Sequence, residues 1–333
     1  MMKSRKRTAA RLFAAAAVLA MGLQQGCGRE NPESVTEKGN SQKHKVVLIA
    51  KSTTSAFWKS VQSGANAAST EYNMDFLFEG PANEEDYETQ NKMIEQAVED
   101  GAEAIVLSAV DYYANAQAIE EAAGKGVQTV VIDSDVSSNL VQCRIGTDNY
   151  VAGSMAGEAV LAAEDETLHI GIVNFDKNSE NGQEREEGFR DTVQKDSRAV
   201  IVDTINVISS TQEAKEGTEE MLKRHPQINV IVTFNEWTSL GVGYAIRELK
   251  LGDSTTVVAF DSNVVSVGML ETGEVDALIV QNPYAMGYLA IESAYNLLEG
   301  YSLEADTVYT DTMLVTRENM FDDECQRALF AFE

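Results

Sequence analysis

Short apolar runs rich in valine and isoleucine recur along the chain from residue 46, and each is followed by a longer segment with helical spacing. Because these runs lack an alternating polar face, they predict buried strands of parallel sheets covered by helices on both sides. Two consecutive sets, at roughly 44–146 and 148–280, predict two doubly wound α/β domains. The runs are VVLI (46–49), DFLF (75–78), AIVL (104–107), TVVI (129–132), HIGIV (169–173), VIVDTINV (200–207), VIVTF (230–234), VVAF (257–260) and ALIV (277–280).

The first 27 residues predict an export signal rather than part of the fold. A basic stretch ending at Arg11 precedes an apolar segment at 12–23, which is too short for a membrane span. The segment LQQGC resembles the lipobox of bacterial lipoproteins, although Gln24 departs from the usual leucine, and it predicts lipidation of Cys27. The polar segment 28–43 then reads as a flexible tether.

Acidic side chains dominate the charge of the chain. There are 53 Asp and Glu against 26 Lys and Arg, and five of the basic residues lie in the export signal. Such a surface repels nucleic acid and anionic lipid, so we expect no nucleic-acid partner and membrane attachment only through the lipid. Besides Cys27 there are two cysteines, Cys143 and Cys325, too few for a disulfide framework, and a single bridge between them stays open.

Polar and aromatic residues follow several of the predicted strands. In doubly wound sheets, ligands bind outside the carboxyl ends of the strands, so these positions are candidates for a binding site. The candidates are Lys51 and the pair Phe57–Trp58 after the first strand, Asp133 after TVVI, Asn235 after VIVTF, Asp261 after VVAF and Gln281 after ALIV.

Structural roles compete with binding at most of these positions. Phe57 is in helical phase with Val61 and could begin the core stripe, whereas Trp58 lies about 100° round the helix, where core packing does not explain it. Each of the three strand-end Asp and Asn residues could be a helix N-cap. Gln281 is a poor cap, and Asn282 with the following proline already supplies one.

Arg185 is a further candidate because it lies on an apolar helix stripe, four residues before Phe189 and eight before Val193. A guanidinium there is costly unless the start of the helix opens into a cleft with acceptors. The alternative is a surface ion pair with a neighbour such as Asp191. Aromatic rings with planar Asp, Asn, Gln and Arg side chains suit a sugar, whose apolar face stacks on a ring and whose hydroxyls both donate and accept hydrogen bonds.

Several motifs resemble the type I periplasmic sugar-binding proteins of the ribose/galactose ABC-importer class. The stretches are SAFWKSVQSGA, VVIDSD, IGTDNYVAGSMAGE, GQEREEGF, VTFNEWTSLG, VVAFDS and VQNPYAMG. The resemblance implies that Phe57, Trp58, Asp133, Arg185, Asn235, Asp261 and Gln281 contact the ligand. It also implies two Rossmann-like lobes joined by a hinge of three crossovers, with one lobe at 44–147 plus 282–311 and the other at 148–281 plus 312–333.

The same resemblance implies a function. We expect an exported, lipid-anchored monomer without cofactor or metal, which captures a monosaccharide and delivers it to an ABC permease whose ATP is hydrolysed by separate subunits. A sugar sensor that presents its closed form to a chemoreceptor or histidine kinase remains the alternative. The absence from the sequence of a GxSxG motif and of a P-loop, with only three scattered histidines, argues against an enzyme.

Two departures from the ribose binders concern the choice of sugar. Those proteins have an arginine where this chain has Ser134 and an asparagine where it has Ser55. Both changes shorten a hydrogen-bond donor and predict a roomier pocket. Lys51, together with Asp133, Ser134 and Asp135, is similar to relatives that bind the furanose quorum signal or rhamnose, so Lys51 and Ser134 join the candidate site.

Overall fold

The protein is described by a computed structural model, which covers residues 43–330. The export signal, the lipidation of Cys27 and nearly all of the tether therefore lie outside the described residues. In chain order the strands are β1 (Lys45–Ile49), β2 (Asp75–Glu79), β3 (Ala104–Leu107), β4 (Gln128–Ile132), β5 (Cys143–Gly146), β6 (Leu168–Asn174), β7 (Ala199–Asn206), β8 (Val230–Thr233), β9 (Thr256–Phe260), β10 (Ala277–Val280), β11 (Thr307–Tyr309) and β12 (Met313–Thr316). The helices are α1 (Ala56–Glu71), α2 (Tyr87–Glu99), α3 (Ala116–Gly124), α4 (Asn149–Leu161), α5 (Glu180–Val193), α6 (Thr211–Arg224), α7 (Glu236–Leu249), α8 (Val264–Thr272), α9 (Pro283–Leu298) and α10 (Asp323–Leu329).

The strands form two sheets, which confirms the predicted doubly wound α/β fold. The first sheet has the order β11-β5-β4-β3-β1-β2 and the second β12-β10-β9-β8-β6-β7. All pairings are parallel except that of β12 with β10. Every predicted apolar run coincides with a strand, but β2 and β7 lie at sheet edges and are only partly buried, so the prediction of burial is wrong for these two.

Three short strands have no counterpart among the predicted runs. β5 has the sequence CRIG, with an arginine in its middle, and β11 has only three residues, two of them exposed. β12 pairs in the opposite direction at the edge of the second sheet. These strands form because neighbouring strands offer them unpaired backbone groups, which the sequence pattern of a single segment does not reveal.

Helices cover both faces of each sheet. In the first lobe, defined by the first sheet, α1 and α9 pack on one face, and α2 and α3 pack on the other. In the second lobe, defined by the second sheet, α4 and α5 cover one face, and the remaining helices from α6 to α8 and α10 cover the other. Both Cys143 and Cys325 are buried and free, so they form no disulfide.

The chain passes between the lobes three times, as the predicted hinge requires. It leaves the first sheet after β5, returns after β10 and crosses again between β11 and β12. Consequently the carboxyl ends of parallel strands from both sheets reach the cleft between the lobes. Among residues 43–330, no helix combines the length and the apolar character that a membrane crossing requires.

Candidate functional site

A cavity lies between the lobes, at the carboxyl ends of the parallel strands, and its empty space, including the part open to solvent, is about 320 Å³. Residues that follow strands of both sheets line it, together with the starts of α1, α5 and α7. The lining residues are Lys51, Ser55, Phe57, Trp58, Glu84, Asp133, Phe175, Asn181, Arg185, Asn235, Glu236, Trp237, Asp261 and Gln281.

Eight of the nine ligand-site candidates from the sequence are therefore in one cavity. The exception is Ser134, whose side chain is fully buried and whose hydroxyl has no hydrogen-bond partner among the described residues. The remaining lining residues were not singled out as ligand contacts from the sequence. Two kinds of signal point to some of them: Phe175 directly follows β6, and Asn181 precedes Arg185 by one helical turn.

The N-cap interpretation holds for one of the three residues to which it was applied. Asn235 caps α7, because its side-chain oxygen accepts from the backbone N–H of Thr238 at 2.9 Å. Its amide nitrogen donates to Ser209 Oγ at 3.2 Å, and the residue also lines the cavity. Asp133 begins no helix, and the helix after Asp261 is capped by Asn263 instead.

Arg185 is the most tightly held residue of the site, with only 1% of its surface exposed. Its Nε donates to Asn149 at 2.9 Å, Nη1 to the carbonyl of Phe234 at 2.7 Å, and Nη2 to Gln281 Oε1 at 2.7 Å. The guanidinium also lies 3.7 Å from Asp133 Oδ1, across the cleft. Asp191, the alternative partner, instead accepts from Tyr150, so the cleft interpretation fits the structure.

The two aspartates that face this arginine differ in their hydrogen bonds. Asp133 accepts from Ser108 at 3.0 Å and from Asn181 at 3.1 Å, so both of its oxygens are engaged. Asp261 accepts from Gln281 Nε2 at 2.6 Å. Burial raises the pKa of the Asp261 carboxyl to about 7, although the charge of Arg185 and the hydrogen bond from Gln281 oppose that rise.

The two aromatic residues that open α1 both line the cavity and both pack in the core of the first lobe. Their rings meet edge to face, with centroids 5.0 Å apart. Trp58 is only 2% exposed, so the expectation that core packing would not account for it is wrong. Its indole also makes a polar contact, because Nε1 donates to Glu84 Oε1 at 2.8 Å.

Hydrogen bonds join the lobes around the cavity, so the structure describes a closed arrangement. From the first lobe, Lys51 Nζ donates to Ser179 Oγ of the second lobe at 2.5 Å. From the second lobe, Trp237 Nε1 donates to Glu84 at 3.2 Å. Glu236 accepts the backbone N–H groups that begin α1, from Ala56 at 3.2 Å and Phe57 at 3.0 Å. A carboxylate at a helix N-terminus is favourable, which partly offsets its burial.

The chemistry of this cavity is that of a hydrogen-bonding site with aromatic walls. Planar amide, carboxyl and guanidinium groups face one another, and the rings of Phe57, Trp58, Phe175 and Trp237 line the remaining surface. Within the described part of the chain, no group of three or more His, Cys, Asp or Glu residues could hold a metal ion. The arrangement is suited to a neutral polyhydroxylated ring.

Comparisons with known proteins agree with this fold. The model of the periplasmic binding protein domain matches residues 46–302, and the chain belongs to that family. It is 26% identical over 325 residues to the D-ribose/D-allose-binding protein of Pseudomonas aeruginosa, covering 93% of this chain and 99% of that one. It is 22% identical over 288 residues to the ribose import binding protein of Bacillus subtilis, covering 86% and 92% of the two chains.

Solved structures of sugar-transport proteins have the same fold. A carbohydrate transporter solute-binding protein of Agrobacterium radiobacter, in complex with D-arabinose, superposes with a TM-score of 0.84 at 29% identity, covering 87% of this chain and all of that one. A sugar transporter protein of Clostridium phytofermentans superposes with a TM-score of 0.75 at 30% identity, covering 83% of this chain and all of that one. The fold and the cleft thus define a type I periplasmic sugar-binding protein.

Proposed function

We propose that this protein is an extracytoplasmic binding protein that captures a monosaccharide between its lobes and delivers it to an ABC importer. The observation that carries the proposal is the cavity between the lobes, lined by aromatic rings and planar hydrogen-bonding groups. The relatives support it, because their names describe ribose, allose and arabinose binding and ribose import. Family members are substrate-binding components of transport, and we propose no catalytic activity.

Capture would follow from the position of the ligand groups on two lobes. Asp133 and Lys51 belong to the first lobe, whereas Arg185, Asn235 and Asp261 belong to the second. A sugar that bonds to both sets binds the closed state more tightly than the open one and shifts the equilibrium towards it. The closed form would then be the state recognised by the permease, with ATP hydrolysed by separate subunits.

The site residues that we propose are those that line the cavity and bear a suitable group. Phe57 and Trp58 would provide a wall for the ring, and Lys51, Asp133, Arg185, Asn235, Asp261 and Gln281 would bond to hydroxyls. Ser134 is buried beside this set, so we assign it an indirect role through the position of Asp133.

We further propose that the chain acts as a monomer tethered by a lipid on Cys27, after removal of the preceding residues. On this proposal, residues 28–43 form the tether. The first lobe spans 44–147 and 282–311, and the second spans 148–281 and 312–333. The basic and apolar segments before the LQQGC motif support export and lipidation.

Thermal-shift measurements with a panel of pentoses, hexoses and the furanose quorum signal test the proposed capture of a sugar. A sugar at a hundred times its dissociation constant should add about 2.7 kcal/mol to the stability of the folded state. Small-angle X-ray scattering with the same sugar should show a smaller radius of gyration, because the lobes close. If no sugar in the panel raises the melting temperature, the proposal is refuted.

A further inference from the structure

Glu84 lies in the loop between β2 and α2 and was not marked by any sequence motif. It is 8% exposed and lines the cavity. Its Oε1 accepts three hydrogen bonds, from Ser52 Oγ at 3.3 Å, Trp58 Nε1 at 2.8 Å and Trp237 Nε1 at 3.2 Å. These two tryptophans are the only ones in the chain, and they belong to different lobes.

All three donors to Glu84 are neutral. Among residues 43–330, no Lys, Arg or His nitrogen lies within 4.0 Å of its carboxylate. Its second oxygen, Oε2, accepts no hydrogen bond within that described range. A buried carboxylate normally has its charge balanced by a partner, so this oxygen is available to a group that the ligand brings.

The other carboxylates of the cavity have their own partners. Asp133 faces Arg185, Asp261 accepts from Gln281, and Glu236 accepts two backbone N–H groups at the start of α1. Asp133 and Glu236 have both oxygens engaged, whereas Glu84 and Asp261 each keep one oxygen without a hydrogen bond among residues 43–330. Asp261 faces the charge of Arg185, so Glu84 is the carboxylate of the cavity that combines a free oxygen with the absence of a cationic partner.

The two cationic side chains of the cavity, Lys51 and Arg185, donate hydrogen bonds to residues other than Glu84. Lys51 Nζ donates to Ser179 and to Asn181 Oδ1 at 3.4 Å, and Arg185 has all three of its nitrogens bonded. Glu236, by contrast, is close enough for its pKa to be raised by the charge of Glu84, in addition to the larger effect of burial. The part of the cavity around Glu84 is therefore anionic and has indole edges on either side.

We propose that Glu84 sets the charge specificity of the site: it accepts hydrogen bonds from a hydroxyl or ammonium group of the bound sugar and excludes sugars that carry a carboxylate or phosphate. This inference rests on the proposed sugar-binding function. A like charge placed next to a carboxylate that has no cationic partner is strongly unfavourable. A role that only orients the two indoles would not discriminate between neutral and anionic sugars.

Isothermal titration calorimetry on matched sugars tests this role. The probes are D-ribose with D-ribose 5-phosphate, D-galactose with D-galacturonate and D-galactosamine, and D-glucose with D-glucuronate and D-glucosamine. For the wild-type protein, we expect an anionic sugar to bind at least about tenfold more weakly than its neutral counterpart, and the amino sugar to be tolerated. In Glu84→Gln the ratio of the dissociation constants of the anionic and the neutral sugar should fall about threefold or more.

Two variants serve as controls. Glu88→Gln removes the same charge from an exposed position in the first turn of α2, so it should leave the discrimination unchanged. Trp237→Phe removes one donor and leaves the charge of Glu84, so the exclusion of anionic sugars should persist. If Glu84→Gln does not fold, equal binding of neutral and anionic sugars by the wild-type protein still refutes the inference.

The outcomes separate this inference from the proposed function. If neutral sugars bind and anionic ones bind equally well, the charge specificity is refuted while sugar capture stands. If Glu84→Gln weakens every sugar by the same factor, Glu84 only orients its neighbours and the inference also fails. If no sugar binds the wild-type protein, the proposed function is refuted and this inference with it.

Discussion

Asp133 and Asp261 occupy equivalent positions in the two sheets. Each directly follows a parallel strand, and each has a positive φ, 59° and 69°. Each donates its backbone N–H to the carbonyl of the neighbouring strand, Ile145 at 3.0 Å and Ile279 at 2.9 Å. Aspartate tolerates this left-handed conformation better than most residues do. The repeated turn brings both carboxyl groups to the cavity, one from each lobe.

The raised pKa of Asp261 predicts a pH dependence of stability. Because its pKa in the folded state is about 7 and its ordinary value is 3.8, the folded state holds the proton more tightly than the unfolded state. Its contribution to stability is therefore full below pH 4 and is lost as the pH rises through 7. At about 1.4 kcal/mol per pKa unit, the loss amounts to a few kcal/mol.

Urea unfolding of Asp261→Asn at several pH values measures this contribution, since asparagine keeps the turn conformation. The free energy of unfolding of the variant minus that of the wild type should be larger at pH 8 than at pH 5. The exposed Asp253→Asn is the matched control, and its stability should follow that of the wild type at each pH. Parallel pH profiles for the wild type and Asp261→Asn would contradict the assignment.

Replacement of Arg185 by lysine should cost both stability and ligand binding. An ammonium group cannot reach the three acceptors that the guanidinium joins, so Asn149, Phe234 and Gln281 lose partners in a buried place. We expect a loss of about 3 kcal/mol or more in the free energy of unfolding in urea, the range for breaking a buried charged network.

The control for this variant is Arg190→Lys in the same helix. Arg190 bonds to Glu186 and Thr204, and its side chain is 37% exposed, so the loss should stay below about 1 kcal/mol. Equal losses for the two arginines would show that the network around Arg185 adds nothing beyond a surface contact.

A methyl group at Gly153 should disturb the packing that holds Arg185 in place. A Cβ there would lie 2.0 Å from the carbonyl oxygen of Arg185, because α4 and α5 cross in close contact. We expect Gly153→Ala to lower the free energy of unfolding by about 3 kcal/mol and to weaken sugar binding.

Gly268 in α8 offers the comparison, since nothing lies within 4 Å of a Cβ at that position. Gly268→Ala should raise the free energy of unfolding by roughly 0.5–1 kcal/mol, because alanine loses less backbone entropy on folding. Thermal unfolding measures both variants, and a harmless Gly153→Ala would mean that α4 and α5 can separate without cost.

Much of the lining of the cavity could be predicted from the order of strands alone. The rule that ligands lie beyond the strand ends selected Asp133, Asn235, Asp261 and Gln281, and all four line the cavity. The same rule, applied to β6, would also have selected Phe175. The helical phase that placed Trp58 off the core stripe was misleading, because a neighbouring loop covers that side of α1 and supplies Glu84 as its partner.

The order of strands and helices, the division into two α/β sets and the positions of most polar groups beyond the strand ends all follow from the amino-acid sequence. These features depend on the local alternation of apolar and polar residues. Which groups meet across the cleft depends on the packing of the lobes: Glu84 and Trp237 are 153 residues apart, and Glu236 bonds to the start of α1 over a separation of 179 residues. The periodicity of a segment shows which of its own faces is buried, but the partner of that face depends on how the two lobes pack.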